Sequence, residues 1–553
     1  MELNLLAEFA AFACMMTLSV LIGLYYGFVE RKQNTVDDYL LGGKHMSVFP
    51  ITMSLIASHV SGVTLLGVPS EVYVYGAQYL IIGVINIFII IIVIYIYLPV
   101  FYDLQLTSVY EYLELRFNST IRRICSLIYA ISLILYIPIV IYVPALAFNQ
   151  ISSLGVHFIT PIICIVCIFY TTIGGLKAVV WTDALQSFFT TVSMAIVIVL
   201  GFIQVGGLSK MIKANIEGNR LELFKMDPDP FLRNSFWTIS VGLSISWITS
   251  QAIHPGSVQR FVALPSYNKA RKTLIYFILG LGVVKILTGL IGIQIYTKYK
   301  DCDPVTAGYI KDNKNLLPYF VMDVASKIPG LTGLFISGIV SAALSTMSAQ
   351  LNTVSGTIYE DFIVKMMGFE ITQSTASIIM KVIVVIVGII CVALVSVVEK
   401  LGGILQGALC GMVASLAVTS WIVYGAQIAI TNKNIQFTTR AVSVSGCPAN
   451  ITIHNSTDYT GLYRMNDDVY VSPDVPKIYT LCYNHYSTLG MLIGLAVGLA
   501  VSLIFPTEQD YDPKLLTPCI RNFVFTKYTA HTKKPEDGEP TAEEYALVQD
   551  TQL

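Results

Sequence analysis

The sequence predicts an all-α polytopic membrane protein, and three observations carry that prediction. Of 553 residues, 55% are hydrophobic and only 12% are charged, against about 25% charged in soluble domains. Apolar runs of about 20 residues, the length that crosses a bilayer, recur along almost the whole chain. The Lys and Arg residues between those runs fall in alternate short loops, as the positive-inside rule requires.

Taken in order, the runs lie near 6–28, 47–75, 78–102, 123–148, 157–175, 178–203, 234–254, 273–297, 331–358, 377–397, 402–430 and 486–505. The first starts near Leu5 without a basic n-region and reads as a retained span rather than a cleaved leader. Arg31, Lys32 and Lys44 follow it, Arg116, Arg122 and Arg123 precede the fourth, Lys177 precedes the sixth, and Arg260, Lys269, Arg271 and Lys272 precede the eighth. The loops near 76–78 and 149–156 carry no Lys or Arg. The expected orientation therefore has the N-terminus outside and these basic loops in the cytosol.

The segment 431–485 conflicts with that count. It carries the sequons Asn450-Ile-Thr and Asn455-Ser-Thr and the cysteines Cys447 and Cys482, a composition suited to the outside, with the two cysteines expected to pair there. Eleven preceding spans would leave it inside, so one span is missing between about 397 and 430. Beyond 507 the chain turns polar and charged and is expected to be a disordered cytosolic tail. It ends Thr551-Gln552-Leu553, a carboxylate, hydroxyl and apolar terminus suited to strand addition in a PDZ groove.

Three segments place polar groups where membrane burial makes them costly. Residues 54–76 read SLIASHVSGVTLLGVPSEVYVYG, with small and polar residues in the first half and Gly67 and Pro69 expected to interrupt the second. Irregular backbone at membrane depth survives where it lines a cavity, and it offers free carbonyls to a cation. Gly174-Gly175 makes a tight turn before Trp181-Thr182-Asp183, an intramembrane acid and so a functional candidate. Ser337 to Ser348 set hydroxyls at helical spacing. Carbonyls from a broken helix and hydroxyls from a facing helix would suit a hard cation, which prefers oxygen ligands. His59 is read as a hydrogen-bonded filler of the break, Glu71 as a solvated or capping group, and Trp247 as a cavity wall or packing residue. No intramembrane Arg or Lys is identified as a partner for a carboxylate. The net charge of −1 offers no basic field for nucleic acid. No nucleophile–base pair, metal cluster or phosphate loop suggests an enzyme, and no cofactor is expected.

The stretches SLIASHVSGVTLLGVPSEVYVYG, GGLKAVVWTDALQ, VQRFVALPS and SAALSTMSAQLNTVSGTIYEDFI resemble the sodium:solute symporter family. GVPSEVYVYGA is most similar to the branch of sodium-coupled monocarboxylate, sodium-dependent multivitamin and iodide transporters. The resemblance implies a LeuT-like inverted repeat of five plus five helices with flanking helices. About twelve spans are visible where the family has thirteen. The implied domains are 1–46, an extra helix and cytosolic loop; 47–430, a transporter core whose second repeat is truncated near 407–412; 431–485, an extracellular glycosylated loop; 486–506, the last transmembrane helix; and 507–553, the tail. A second departure is His254-Pro255 where relatives commonly carry Asn-Gln.

By resemblance, sodium would be held by carbonyls of Ala57, Val60 and Ala342 and hydroxyls of Ser345 and Thr346. Asp183, Gln186 and Ser58 would serve a second sodium or its exit path, and Thr64, Asn86, Trp247 and His59 would line the substrate site. The implied function is a plasma-membrane symporter in which sodium drives import of a small organic anion, such as a monocarboxylate, biotin or pantothenate. The competing expectation is a non-transporting sodium sensor, regulatory homologue or inactive splice variant.

Overall fold

Helix is what a chain of this composition can form inside lipid, because each span then satisfies its own backbone groups. The computed structural model describes residues 2–29, 35–106, 108–152, 155–325, 328, 330–364, 372–401, 411–437, 439–440, 442–448, 470–504 and 517. Asn450, Asn455, Thr551 and Leu553 lie outside the described residues, as do residues 407–410 of the truncation expected near 407–412.

The helices that matter here are α1 (Glu2–Leu24), α2 (Val48–His59), α3 (Gly62–Tyr75), α4 (Ala77–Leu104), α5 (Val109–Arg116), α6 (Ser119–Ser152) and α7 (Val156–Val205). They continue as α8 (238–253), α9 (Pro255–Val262), α10 (Tyr267–Tyr299), α11 (Leu331–Ile363), α12 (Gln373–Leu401), α13 (Gly411–Thr431) and α14 (Tyr486–Ile504). Among the described residues, helix occupies each of the twelve apolar runs, in the eleventh from Gly411 onward. Seven helices among the described residues are long and apolar enough to cross a membrane, and α2 with α3, bent by 60°, makes an eighth if the pair is one span.

At 50 residues, α7 would be about 75 Å long if straight, far more than a bilayer needs. It is broken at Gly175, where φ is +52° and ψ is −153°, a backbone state that side chains disfavour. A Cβ there would also lie 2.8 Å from the Tyr39 ring. The predicted tight turn is thus observed.

At the centre stands α11, almost wholly buried, whereas the other single-helix spans bury half or less of their most apolar stretch. It packs against α7, α6 and α1. Its run of Gly, Ala, Ser and Thr lets those backbones approach closely. Several of the hydroxyls that would be costly in such a place fold back on the helix: Ser337 Oγ donates to Gly333 O at 2.7 Å, and Thr353 Oγ1 to Ala349 O at 2.7 Å.

One expectation fails in α3. Gly67 and Pro69 do not interrupt it; the helix runs through both, since neighbouring helices tolerate the single bond that proline removes.

The expected Cys447–Cys482 pair is also corrected. Cys447 is bonded to Cys302. Backbone bonds from Asp303 N to Ser443 O (2.8 Å) and from Gly446 N to Asp301 O (2.8 Å) lay segment 443–447 along 301–303 and bring the two cysteines together. Cys482 is a buried free thiol whose Sγ donates to Arg233 O at 3.0 Å.

Candidate ion and substrate site

The break between α2 and α3 is built from three residues. Val60 (φ −100°, ψ 90°) and Ser61 (φ −87°, ψ 167°) leave the helix, and Gly62 restarts it. A Cβ on Gly62 would stand 2.5 Å from Pro144 Cγ, so only glycine lets α6 approach the break. Val60 still donates its N–H to Ile56 O at 3.0 Å, but its own dihedrals take its carbonyl out of the helical ladder.

Against this break lies α11. Ser345 Oγ is 3.0 Å from Ala57 O and 3.1 Å from Ala342 O, and Thr346 Oγ1 is 2.9 Å from Ala342 O. Four of the five expected sodium ligands therefore meet in one place, and Val60 stands at the break beside them. All the groups offered are neutral oxygens, as a weakly charged hard cation prefers.

Asp183, on the second half of α7, is fully buried and is shared by three other helices. Its Oδ2 accepts from Ser54 Oγ at 2.6 Å and Ser58 Oγ at 3.5 Å on α2, and from Arg260 Nη2 at 3.4 Å on α9. Its Oδ1 accepts from Ser348 Oγ on α11 at 3.4 Å. Ser348 Oγ also donates to Ser345 O at 3.1 Å, so a single residue links the acid to the candidate cation site. Gln186, one turn along α7, donates Nε2 to Ser19 Oγ at 3.4 Å, and its buried Oε1 has no partner among the described residues.

Beside the break is a cavity of about 940 Å³. Ser58, His59, Ser61 and Thr64 form its wall at the break, Trp247 and Ser250 of α8 form another, and Tyr129 and Gln350 come from α6 and α11. The cavity extends to Tyr110 and Leu113 of α5. His59 fills the break as expected: Nδ1 is 2.9 Å from Leu55 O and Nε2 is 3.2 Å from Ser250 O.

On the opposite side, where α3 ends and α4 begins, the chain is tied shut. Glu71 is not a solvated cap; its carboxylate takes Arg233 Nε and Nη2 at 3.0 Å each and Asn234 Nδ2 at 2.8 Å. The Arg233 guanidinium also lies 4.0 Å from the Tyr75 ring centroid.

Asn86 is the exception among the expected substrate residues. It is buried, its Nδ2 donates to Ile278 O at 3.4 Å, and it is not among the cavity's lining residues. Sequence reasoning also missed several residues that matter. Arg260 was assigned to a basic loop, yet it is 2% exposed and donates Nε to Ser54 Oγ at 2.8 Å and Nη1 to Gly256 O at 2.9 Å. His254 and Pro255 start α9: His254 Nδ1 accepts from Gly256 N at 3.1 Å, and proline takes the first helical position. Lys285 is an intramembrane cation that sequence reasoning passed over when it identified no Arg or Lys as a carboxylate partner. It lies within α10, buried, with Nζ 3.3 Å from the centroid of Trp247.

Residues 39–425 match the sodium:solute symporter family. The chain is 34% identical to sodium-coupled monocarboxylate transporter 2 of Bos taurus, covering 94% of this chain and 87% of that one. It is 33% identical to sodium-coupled monocarboxylate transporter 1 of Homo sapiens, over 92% and 89%. It is 30% identical to a putative sodium-dependent multivitamin transporter of Drosophila melanogaster, over 90% and 86%. A solved Na+-coupled sialic acid symporter in a substrate-bound outward-open state superposes with a TM-score of 0.72 at 20% identity, over 91% of this chain and 99% of that one. That likeness establishes a common fold, the LeuT-like helical architecture expected from the sequence.

Proposed function

The chain belongs to the sodium:solute symporter family, and from that premise we propose that it uses the inward sodium gradient to import a small organic anion across the plasma membrane. A monocarboxylate, or a vitamin such as biotin or pantothenate, is the substrate class its similarity to monocarboxylate and multivitamin transporters supports. The observation that carries the reading is the meeting of Ala57 O at the helix break with Ser345 on α11, beside a cavity large enough for such a solute.

With the basic loops in the cytosol, α5 and the cavity's extension toward it face inward, and the Glu71–Arg233 clasp closes the outer side. The arrangement is then an inward-facing one. Sodium bound between α2 and α11 would join the broken helix to the central one, favouring the outward-open form in which the clasp is released. Solute enters beside the break, the bundle rocks, and sodium leaves past Asp183, whose bond to Arg260 reforms behind it. Sodium is cargo here and no cofactor takes part. A membrane potential contributes about 2.3 kcal/mol per net charge per 100 mV, so moving more than one sodium with one anion is driven inward.

Uptake of labelled butyrate, lactate, biotin and iodide in oocytes, in sodium or choline medium with surface delivery checked by labelling, tests this reading. Saturable sodium-dependent uptake of butyrate, lactate or biotin is expected. No uptake of any of them from a protein present at the surface contradicts it. Sodium-evoked current without uptake would instead support a sensor.

A further inference from the structure

A buried lysine that has no carboxylate within ion-pair distance among the described residues stands behind the wall of the cavity. Lys285 is 3% exposed in the middle of α10, a helix that is otherwise apolar around it. Its ammonium lies 3.3 Å from the Trp247 ring centroid and 3.2 Å from Tyr79 Oη, whose own ring centroid is 5.3 Å away. Among the described residues no carboxylate comes within ion-pair distance of it; Glu71 is engaged by Arg233 and Asn234.

An ammonium has three donors, and Tyr79 accepts only one. A π face attracts a cation but neutralises no charge. A lysine inside a membrane span is costly and is retained where it meets a charged partner or a transport pathway. Trp247 gives that pathway, since the indole that covers Lys285 also lines the cavity. Rotation of the indole would uncover the ammonium to the space beside the break.

We propose that Lys285 is the residue that binds the substrate's carboxylate, with Trp247 shielding it in this conformation. The inference rests on the symport reading above and narrows it. One lysine matches one carboxylate, so the preferred solute is a monoanion. Tyr79 lies near the closed outer side, next to the end of α3, so the lysine is placed to meet an anion arriving from outside. When solute leaves, the indole returns to the ammonium and the charge is covered again.

The test is the concentration dependence of butyrate uptake in wild type, Lys285→Gln and Lys285→Arg, each normalised to surface level. Neutralisation should raise the butyrate KM at least tenfold, with the sodium concentration for half-maximal uptake changed less than about twofold. Arginine, which keeps the charge, should hold KM within about threefold of wild type. An unchanged KM in Lys285→Gln overturns the proposal, and so does an arginine variant as impaired as the glutamine one, since a lysine needed only for packing would show that pattern. Where glutamine prevents surface delivery, Lys285→Met takes its place; where both do, the arginine variant decides by the same threefold criterion. Wild-type protein that takes up none of the probe anions overturns the symport reading itself, which distinguishes that failure from failure of the lysine.

Discussion

Asp183 and Arg260 are each almost completely buried and each other's only opposite charge within ion-pair distance among the described residues. Removing one partner of such a pair costs about 3–5 kcal/mol because the other charge is left uncompensated, while removing both is far milder. Arg260→Met should therefore lower thermal stability sharply, and adding Asp183→Asn should recover most of the loss. A thermal-unfolding double-mutant cycle of the purified protein checks this; additive losses would show that the two residues act independently. The acid was legible in the sequence because an aspartate in an apolar run is rare. Its partner was not, because counting loop charges assigned Arg260 to the cytosol and nothing local reveals an acid 77 residues earlier in the chain. Lys285 is different: a single lysine inside a run of spanning length carries the same signal as Asp183, and that signal was available. His59 sits at the break and Trp247 lines the cavity; local composition pointed to the first and left the second open between cavity wall and packing, whereas Asn86 lies on a helix face that no local pattern distinguishes from the cavity face.

Local backbone chemistry accounts for two helices at the next scale. The turn of α7 depends on Gly175, whose φ of +52° with ψ of −153° lies in a region nearly confined to glycine and costs a side-chain-bearing residue about 1–3 kcal/mol, and whose Cβ would press on Tyr39. Gly175→Val should lower the thermal midpoint clearly, while a valine at Gly67, where nothing lies within 4 Å, should have a much smaller effect on packing. Equal losses at the two sites would contradict the turn's role. The break between α2 and α3 was visible as a cluster of Ser, His and Gly, but proline's reputation as a breaker misplaced its second half. The disulfide shows the limit of composition, because pairing depends on which loop lies alongside which. Cys302→Ser and Cys447→Ser should each abolish the bridge in a non-reducing peptide map, and Cys482→Ser should leave it intact. Loss of the bridge in Cys482→Ser would restore the pairing first expected.

Across the whole molecule, one side is clasped and a cavity extends to the other, the asymmetry that the proposed alternating access requires. The clasp is the bidentate Glu71–Arg233 pair, joining the end of α3 to the segment before α8. Glu71→Gln should weaken it and shift the population toward the outward-open form. A cysteine placed at Thr64, in the cavity wall at the break, should then react severalfold faster with a membrane-impermeant thiol reagent added outside. An unchanged rate would show that the clasp does not hold the outer side closed. The overall fold was legible from apolar run lengths and loop charge; the clasp was not, since Glu71 and Arg233 lie on segments distant in sequence.

The account turns on the oxygens gathered between α2 and α11, and the most direct test is a sodium titration of butyrate uptake by Ser345→Ala/Thr346→Ala against wild type at matched surface level. Removing two of five ligands should move half-maximal activation to at least tenfold higher sodium while the butyrate KM at saturating sodium stays near its wild-type value. An unchanged sodium dependence would show that the coupling ion binds elsewhere.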